Sequence, residues 1–513
     1  MNDMKHRLLY IKAGFLFVLL SLFNCSNFEE LNTNPDATEV VPAPLICTNV
    51  VIGMLGHSGD AMSYISENTL SKYVGFAVLG KNGAQYNDFG SGSFGGMVLL
   101  PNIDAMVEAA TGTVMEPSYR GIASFARARL FFRTTLWMGD IPYTQAGKGI
   151  DGLFKPKYDL QKDIFLGILD ELQAADQYFA QNIKFDGDPT PFNGDPAKWR
   201  KAVNAFTLQV LMSLSPKVDD AALDIKNRFA EIVTAGNLMT SADEYLGLVY
   251  SATNPHPLYS DNSMFTPKTV ASDLLVSNLK KLNDRRLFYF CEPAAAQITA
   301  GFEQTDTAAY VGVDVSMEYS DMNVLYKANK LSRLNLQYAA EYACEPLIML
   351  SYAEQQLILA EARIRGWFTT GTGQEYYESG VKAALTNKMN FCLDLYAHSV
   401  AIDQNYIDGY FTGEAAFKTT TDEQLKQVWM QEYLLRYMQD ADFSYFEYRR
   451  NGYPEFPINP TTNMNVEKPN AIPLRLMYPG SESTYNSENL KETLIRQFGE
   501  EYDEVNKVMW LLK

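Results

Sequence analysis

Apolar residues recur at steps of three and four through several long stretches of the chain. In "YRGIASFARARLFFRTTLWMGDIPY" (119–143), Ile122, Phe125, Ala128, Phe132 and Leu136 share one face. This is the spacing of a buried amphipathic helix, and Gly139 is its stop. "DLQKDIFLGILDELQAADQYF" (159–179) and "DPAKWRKAVNAFTLQVLMSLSP" (195–216) read the same way, the second with Asp195 as cap and Pro196 at the first helical position. In "EPLIMLSYAEQQLILAEARIRGW" (345–367) the row Leu350, Ala353, Leu357, Ala360 and Ile364 predicts a further helix, with Arg363 and Arg365 in its last turn and Gly366 ending it. Segments 374–394 and 421–440 also predict helices. The intervals 60–100, 240–340 and 440–490 are rich in Gly, Asn, Ser, Pro and aromatics, with only short strand-like pieces such as "LGLVY" (246–250). The expected fold is therefore mainly α. Helix pairs of the degenerate tetratricopeptide kind form the scaffold, interrupted by long irregular loop excursions and few short strands.

The amino terminus has another pattern. Lys5, Arg7 and Lys12 surround the start of an apolar run, 13–23, that is too short for a bilayer span of roughly 20 residues. Cys25 comes directly after "SLFN", the position at which a lipoprotein signal is cut and its cysteine acylated. Residues 1–24 are expected to be a lipoprotein signal peptide, Cys25 the lipidation site, and 25–45, "CSNFEELNTNPDATEVVPAPL", a lipid-anchored tether. Residues 46–513 are expected to form a single interlocked domain.

Composition narrows the function. A chain that is 47% hydrophobic and 20% charged is globular. A net charge of -18 with no basic cluster excludes nucleic acid as a partner. It also predicts that anionic membranes are avoided, leaving the lipid as the membrane contact. Cys47, Cys291, Cys344 and Cys392 are widely spaced and suit neither a zinc site nor a disulfide framework, so they read as small buried hydrophobes.

Enzyme signatures are weak. His57, His256 and His398 fall in no close ligand pattern, which leaves no metal site expected. "DGDPTPFNGD" (186–195) resembles a calcium loop only superficially, because Pro191 stands where glycine is required and Ala197 where the bidentate Glu belongs. Glu354 and Glu361 are seven residues apart on one helix, about 10.5 Å along its axis, wider than the roughly 6.5–9.5 Å of an inverting glycosidase pair. They read as structural ion-pair partners. "GSGSFGG" (90–96) lacks the lysine of a phosphate loop. No catalytic residue and no cofactor is expected.

Several ordered pieces carry a family resemblance: "FEELNTNPDAT", "LWMGDIPYTQA", "AKWRKAVNAFTLQVLMSLS", "LKKLNDRRLFYF", "LIMLSYAEQQLILAEARIRGW", "YYESGVKAAL", "FEYRRNGYPEFP" and "IPLRLMYPGSESTYNSEN". Together they resemble the SusD/RagB nutrient-binding outer-membrane lipoproteins, on the SusD-like branch. The family usually has Asp-Pro-Arg where this chain has Asp284, Arg285 and Arg286. The "WRK" helix ends "LMSLSP" instead of Arg-rich. The resemblance implies a lipid-anchored, outward-facing protein of the outer membrane that captures oligosaccharide for a SusC-like TonB-dependent transporter. Glu29 and Glu30, just after the cysteine, would favour surface export. The RagB side of the resemblance allows peptide as the alternative cargo, and a helical glycosidase is a more distant third.

Sugar rings stack their C–H faces on aromatic rings while amides and carboxylates bind the hydroxyls at the edge. Trp137, Trp199 and Trp429 lie on helical rows and are expected in the core, and Trp367 is expected to staple a helix end. The candidate ligand-binding residues are therefore in loops: Gln85, Tyr86, Asn87, Asp88 and Phe89 in one, and His256, Tyr259, Asp261, Asn262 and Phe265 in another.

Overall fold

The computed structural model describes residues 41–56, 60–78, 80–261 and 268–513. The predicted signal peptide, Cys25 and all but the last residues of the predicted tether lie outside them, as do His57, Asn262 and Phe265. Residues Ala43–Lys513 form one compact unit. Its principal helices are α1 (Ala43–Leu55), α2 (Ala61–Leu70), α3 (Leu100–Ala110), α4 (Glu116–Met138), α5 (Gln161–Phe179), α6 (Pro196–Ser213), α7 (Ile225–Ala235), α8 (Asp273–Lys281), α9 (Tyr352–Ile364), α10 (Gly373–Phe391), α11 (Thr421–Leu435), α12 (Phe443–Asn451) and α13 (Ser487–Phe498). Helix α1 starts inside the stretch read as tether, so residues 43–45 are helical.

The helices stack as neighbouring pairs. α3 packs on α4, α4 along α5, α5 on α6, α6 on α9, and α9 on both α10 and α11. Each amphipathic face is thus covered by the next helix, the logic of a repeat array. The predicted row on α4 is wholly inside: Ile122, Phe125, Ala128, Phe132 and Leu136 are all buried. Local signals set the ends. The Asp195 carboxylate accepts the N–H groups of Ala197 and Lys198, Ser351 caps α9 at Glu354 N–H, and Thr372 with Glu375 forms a capping box for α10.

One predicted helix begins too early. Residues Leu347–Ser351 form a strand, β4, that pairs antiparallel with β2 (Tyr245–Leu248). Leu350 therefore belongs to this two-stranded sheet and not to the α9 row. A short apolar run fits either element, and its partner a hundred residues away decides. A second small sheet pairs β1 (Val74–Phe76) with β3 (Thr269–Ala271). The intervals read as irregular also hold helices α2, α8 and α12 and further ones at Arg286–Phe290, Ala295–Thr299, Tyr319–Lys327, Gln337–Ala340 and Gly480–Tyr485. Most are too short to show a period.

Helix α9 is central, with every residue from Ala353 to Ala362 buried. Its acidic side chains are paired inside. Glu354 accepts from Arg436 (2.7 Å) and Gln209 (2.8 Å), and Glu361 from Arg450, Arg365 and the Trp429 indole. All four cysteines in the described residues are free and buried, and burial pushes the Cys47 and Cys291 thiols far up. Trp199 and Trp429 are buried and Trp137 partly so. Trp367 is buried against Phe229.

Candidate binding face

The antiparallel pairing of β1 and β3 puts Phe76 opposite Thr269. The chain leaves β1 into the 77–90 loop at the end of the sheet where it enters β3 from the 251–268 segment. The two loops singled out in the sequence therefore spring from one end of one small sheet. Ala77 N–H donates to Lys268 O at that end (3.0 Å).

The first loop is fixed from beneath. Lys72, at the end of α2, is buried, and its ammonium donates to Gln85 O (2.6 Å) and Asn87 Oδ1 (2.8 Å). With only neutral oxygens to meet it, burial lowers its pKa to about 7. Gln85 accepts Phe76 N–H at Oε1 (2.7 Å) and donates from Nε2 to Val315 O (2.9 Å). The Tyr86 hydroxyl donates to Met317 O (2.9 Å), and Asn87 Nδ2 to Asn463 Oδ1 (3.2 Å). Asn463 in turn donates to Pro469 O and Ala471 O.

Gln85, Tyr86 and Asn87 are thus buried framework and not exposed ligand groups, a correction to the sequence expectation. Their side-chain polar atoms tie the loop to Lys72, Phe76, Val315, Met317 and Asn463. Phe89 is half-buried, its ring edge-on to Tyr445 (5.3 Å) and Trp137 (6.3 Å). Asp88 is exposed.

His256, a candidate ligand residue in the sequence, is also buried. Its ring sits edge-on to Tyr64 and Tyr250. Leu258 N–H donates to Nδ1 (3.2 Å), so Nδ1 is the bare nitrogen and Nε2 carries the proton, pointing to Tyr64 Oη (3.2 Å). The Tyr64 hydroxyl donates onward to Met438 O (2.6 Å). This anchor positions the residues just after it in the chain: Tyr259 is 40% exposed, and Asp261 is half-buried.

Tyr259 meets Tyr342, 43% exposed, in an edge-to-face pair with ring centroids 6.1 Å apart. Backbone bonds from His256 N–H to Tyr342 O (2.9 Å) and from Ser260 N–H to Ala339 O (2.8 Å) hold the two segments together. Tyr342 was not singled out in the sequence. It lies in "LQYAAEYACEP", which carries no periodic or motif signal. Further groups on the first loop's side are Lys81, over the Tyr86 ring (5.4 Å) and 3.8 Å from Glu318, and Tyr319, whose hydroxyl accepts Gly80 N–H (2.8 Å).

The 186–195 loop has its carboxylate occupied. Asp188 accepts Thr190 N–H at Oδ1, and Gly194 N–H and the Trp199 indole N–H (2.7 Å) at Oδ2. Among the described residues no cluster of three or more His, Cys, Asp or Glu could hold a metal ion. None of the helices there is long and apolar enough to cross a membrane.

A family model for SusD-like proteins, described as starch-binding and associating with the outer membrane, matches residues 35–479. Two SusD homologues from Bacteroides fragilis NCTC 9343 superpose closely. One is 36% identical with a TM-score of 0.88, covering 92% of this chain and 100% of its own. The other is 32% identical with a TM-score of 0.81, covering 92% and 99%. A chitin-binding protein, 22% identical, shares the fold at a TM-score of 0.70 over 92% of this chain and 100% of its own. No curated protein matches. With the family pattern running from within the predicted tether to α12 and beyond, the chain belongs to the SusD-like family.

Proposed function

We propose that this protein is a non-catalytic surface lipoprotein that binds an oligosaccharide on the face carrying Tyr259 and Tyr342 and delivers it to a SusC-like TonB-dependent transporter. Acyl groups on Cys25 hold it on the outer membrane, facing outward. The observation that carries the reading is the exposed tyrosine pair, on segments held together by the His256 N–H bond to Tyr342 O and the Ser260 N–H bond to Ala339 O. Two rings nearly at right angles offer one flat face and one edge for a sugar. Family membership supports the glycan class, and the chitin-binding fold relative is in keeping with it.

Carboxylates on the main α9 helix support binding over hydrolysis. Glu354 and Glu361 are both buried and paired, Glu354 with Arg436 and Gln209, and Glu361 with Arg450, Arg365 and the Trp429 indole. Cargo that must be released inward calls for micromolar to millimolar affinity, roughly -8 to -4 kcal/mol. Isothermal titration against a panel of oligosaccharides tests the reading. Binding that persists unchanged in a Tyr259→Ala, Tyr342→Ala double variant would remove this face from it.

Peptide cargo is the second reading. Asp88 and Asp314 are exposed on the segments around the first loop, and acidic groups beside tyrosines suit cationic peptides. Peptide-pool pull-down read by mass spectrometry, run beside the glycan panel, separates the two cargoes.

A further inference from the structure

The loop after α4 reads "GKGIDGLFKPK", residues 147–157, and it is built to project apolar side chains. Gly147 and Gly152 take left-handed φ values of 78° and 81°, a backbone state that costs other residues more. Between them lies the tight turn Lys148–Asp151. It is closed by Gly152 N–H to Gly149 O (3.0 Å) and Leu153 N–H to Lys148 O (3.2 Å). The loop's far side is also secured. Lys157 N–H donates to Gln145 Oε1 (2.8 Å), Asn489 Nδ2 to Lys155 O (3.1 Å) and Asn486 Nδ2 to Pro156 O (2.9 Å).

On this fixed frame Ile150 is 97% exposed and Phe154 77%. The loop starts against Leu100, since a Cβ on Gly147 would lie 3.1 Å from the Leu100 side chain. Two residues before Leu100, Val98 is 77% exposed. Folding gains nothing from holding such residues in water, and an exposed apolar group on a braced loop points to a surface that covers it.

Charge identifies the cover. Lys148, Lys155 and Lys157 are exposed and form no ion pair among the described residues. Asp151 is the one acid among residues 148–157, a local charge of +2 from three lysines and one aspartate. This stands out on a chain of net charge -18. Apolar tips flanked by lysines on flexible apolar stems match the boundary between headgroup and acyl chains of an anionic lipid surface.

We propose that loop 147–157 is a second membrane contact, seating Ile150 and Phe154 among lipids with the three lysines on lipid phosphates. The global acidity that predicts avoidance of anionic membranes is locally reversed here. The contact goes beyond the cargo reading and does not depend on acylation of Cys25. It would fix the orientation of a protein that a tether alone leaves free to swivel.

The test places an NBD fluorophore at Phe154→Cys in the full chain carrying Cys25→Ser, so that no acyl anchor contributes. Vesicles of phosphatidylcholine with and without phosphatidylglycerol are added. The expected result is a blue shift and quenching by brominated acyl chains in the phosphatidylglycerol vesicles, absent from a probe at Lys226→Cys. The lysine variant K148Q/K155Q/K157Q should lose most of that shift. An aqueous emission at 154 with anionic vesicles would overturn the proposal. So would a shift that arises only when a partner transporter protein is supplied, because the cover would then be protein.

Discussion

Arg450 grips Glu361 with both guanidinium arms, Nη1 to Oε1 at 2.7 Å and Nη2 to Oε2 at 2.8 Å, joining α12 to the central helix α9 inside the core. The Trp429 indole N–H (2.9 Å) and Arg365 Nε (2.8 Å) complete the carboxylate's shell. Removing one member of a buried pair leaves the other charged and unmatched, which costs about 3–5 kcal/mol. Glu361→Ala should therefore lower the unfolding midpoint sharply in urea. Unchanged stability would mean that the network does not hold α9 to α12.

The same carboxyl has an acid signature. Burial opposes its charge, but Arg450 and Arg365 win and hold its pKa down at about 2. A depressed folded-state pKa means that the unfolded chain binds the proton first. This stabilisation is complete above the unfolded value of about 4.3 and is lost as pH falls toward 2. In Glu361→Gln, stability measured from pH 5 down to 2.5 should fall less steeply than in the parent protein.

Lys72 works in the opposite sense. Its folded pKa near 7 lies below the unfolded value of about 10.4. Between those values the unfolded chain binds more protons, so stability should rise with pH across this window. Lys72→Met should remove that rise. A pH–stability slope identical in both proteins would show that the ammonium is not desolvated beneath the 84–87 loop.

Tyr259 and Tyr342 are exposed enough for truncation to leave the fold intact. Each ring contributes about 1 kcal/mol of stacking, so Tyr259→Ala or Tyr342→Ala should weaken glycan affinity roughly fivefold, with the melting temperature unchanged. Titration calorimetry and thermal melts on the same samples check both halves.

Arg285 stands where the family pattern has proline. Its φ of -67° would accept a proline ring. The native residue, however, donates its N–H to the Tyr406 hydroxyl (2.8 Å) and lays its guanidinium over that ring at 4.4 Å. Arg285→Pro should therefore cost about 1 kcal/mol or more through the lost bond, measured by urea unfolding. Stabilisation instead would show that stiffening the unfolded chain outweighs it.

The helical scaffold was legible in the sequence because a helix repeats its own instructions. The row Ile122, Phe125, Ala128, Phe132 and Leu136, the cap at Asp195 and the stop at Gly139 are local signals, and the structure obeys each. The family motifs were legible for the same reason, being short ordered strings. Loop residues carry no such redundancy. Gln85 is buried because Val315 lies 230 positions away to receive its amide, His256 because Tyr64 and Leu258 bracket its ring, and "LIMLS" is a strand because Tyr245–Leu248 lies alongside. Composition likewise reports the net charge and not where three lysines and two apolar tips stand together. Periodicity encodes which face of an element turns inward, but whether an aperiodic polar side chain meets water or a distant carbonyl depends on where the rest of the chain comes to lie.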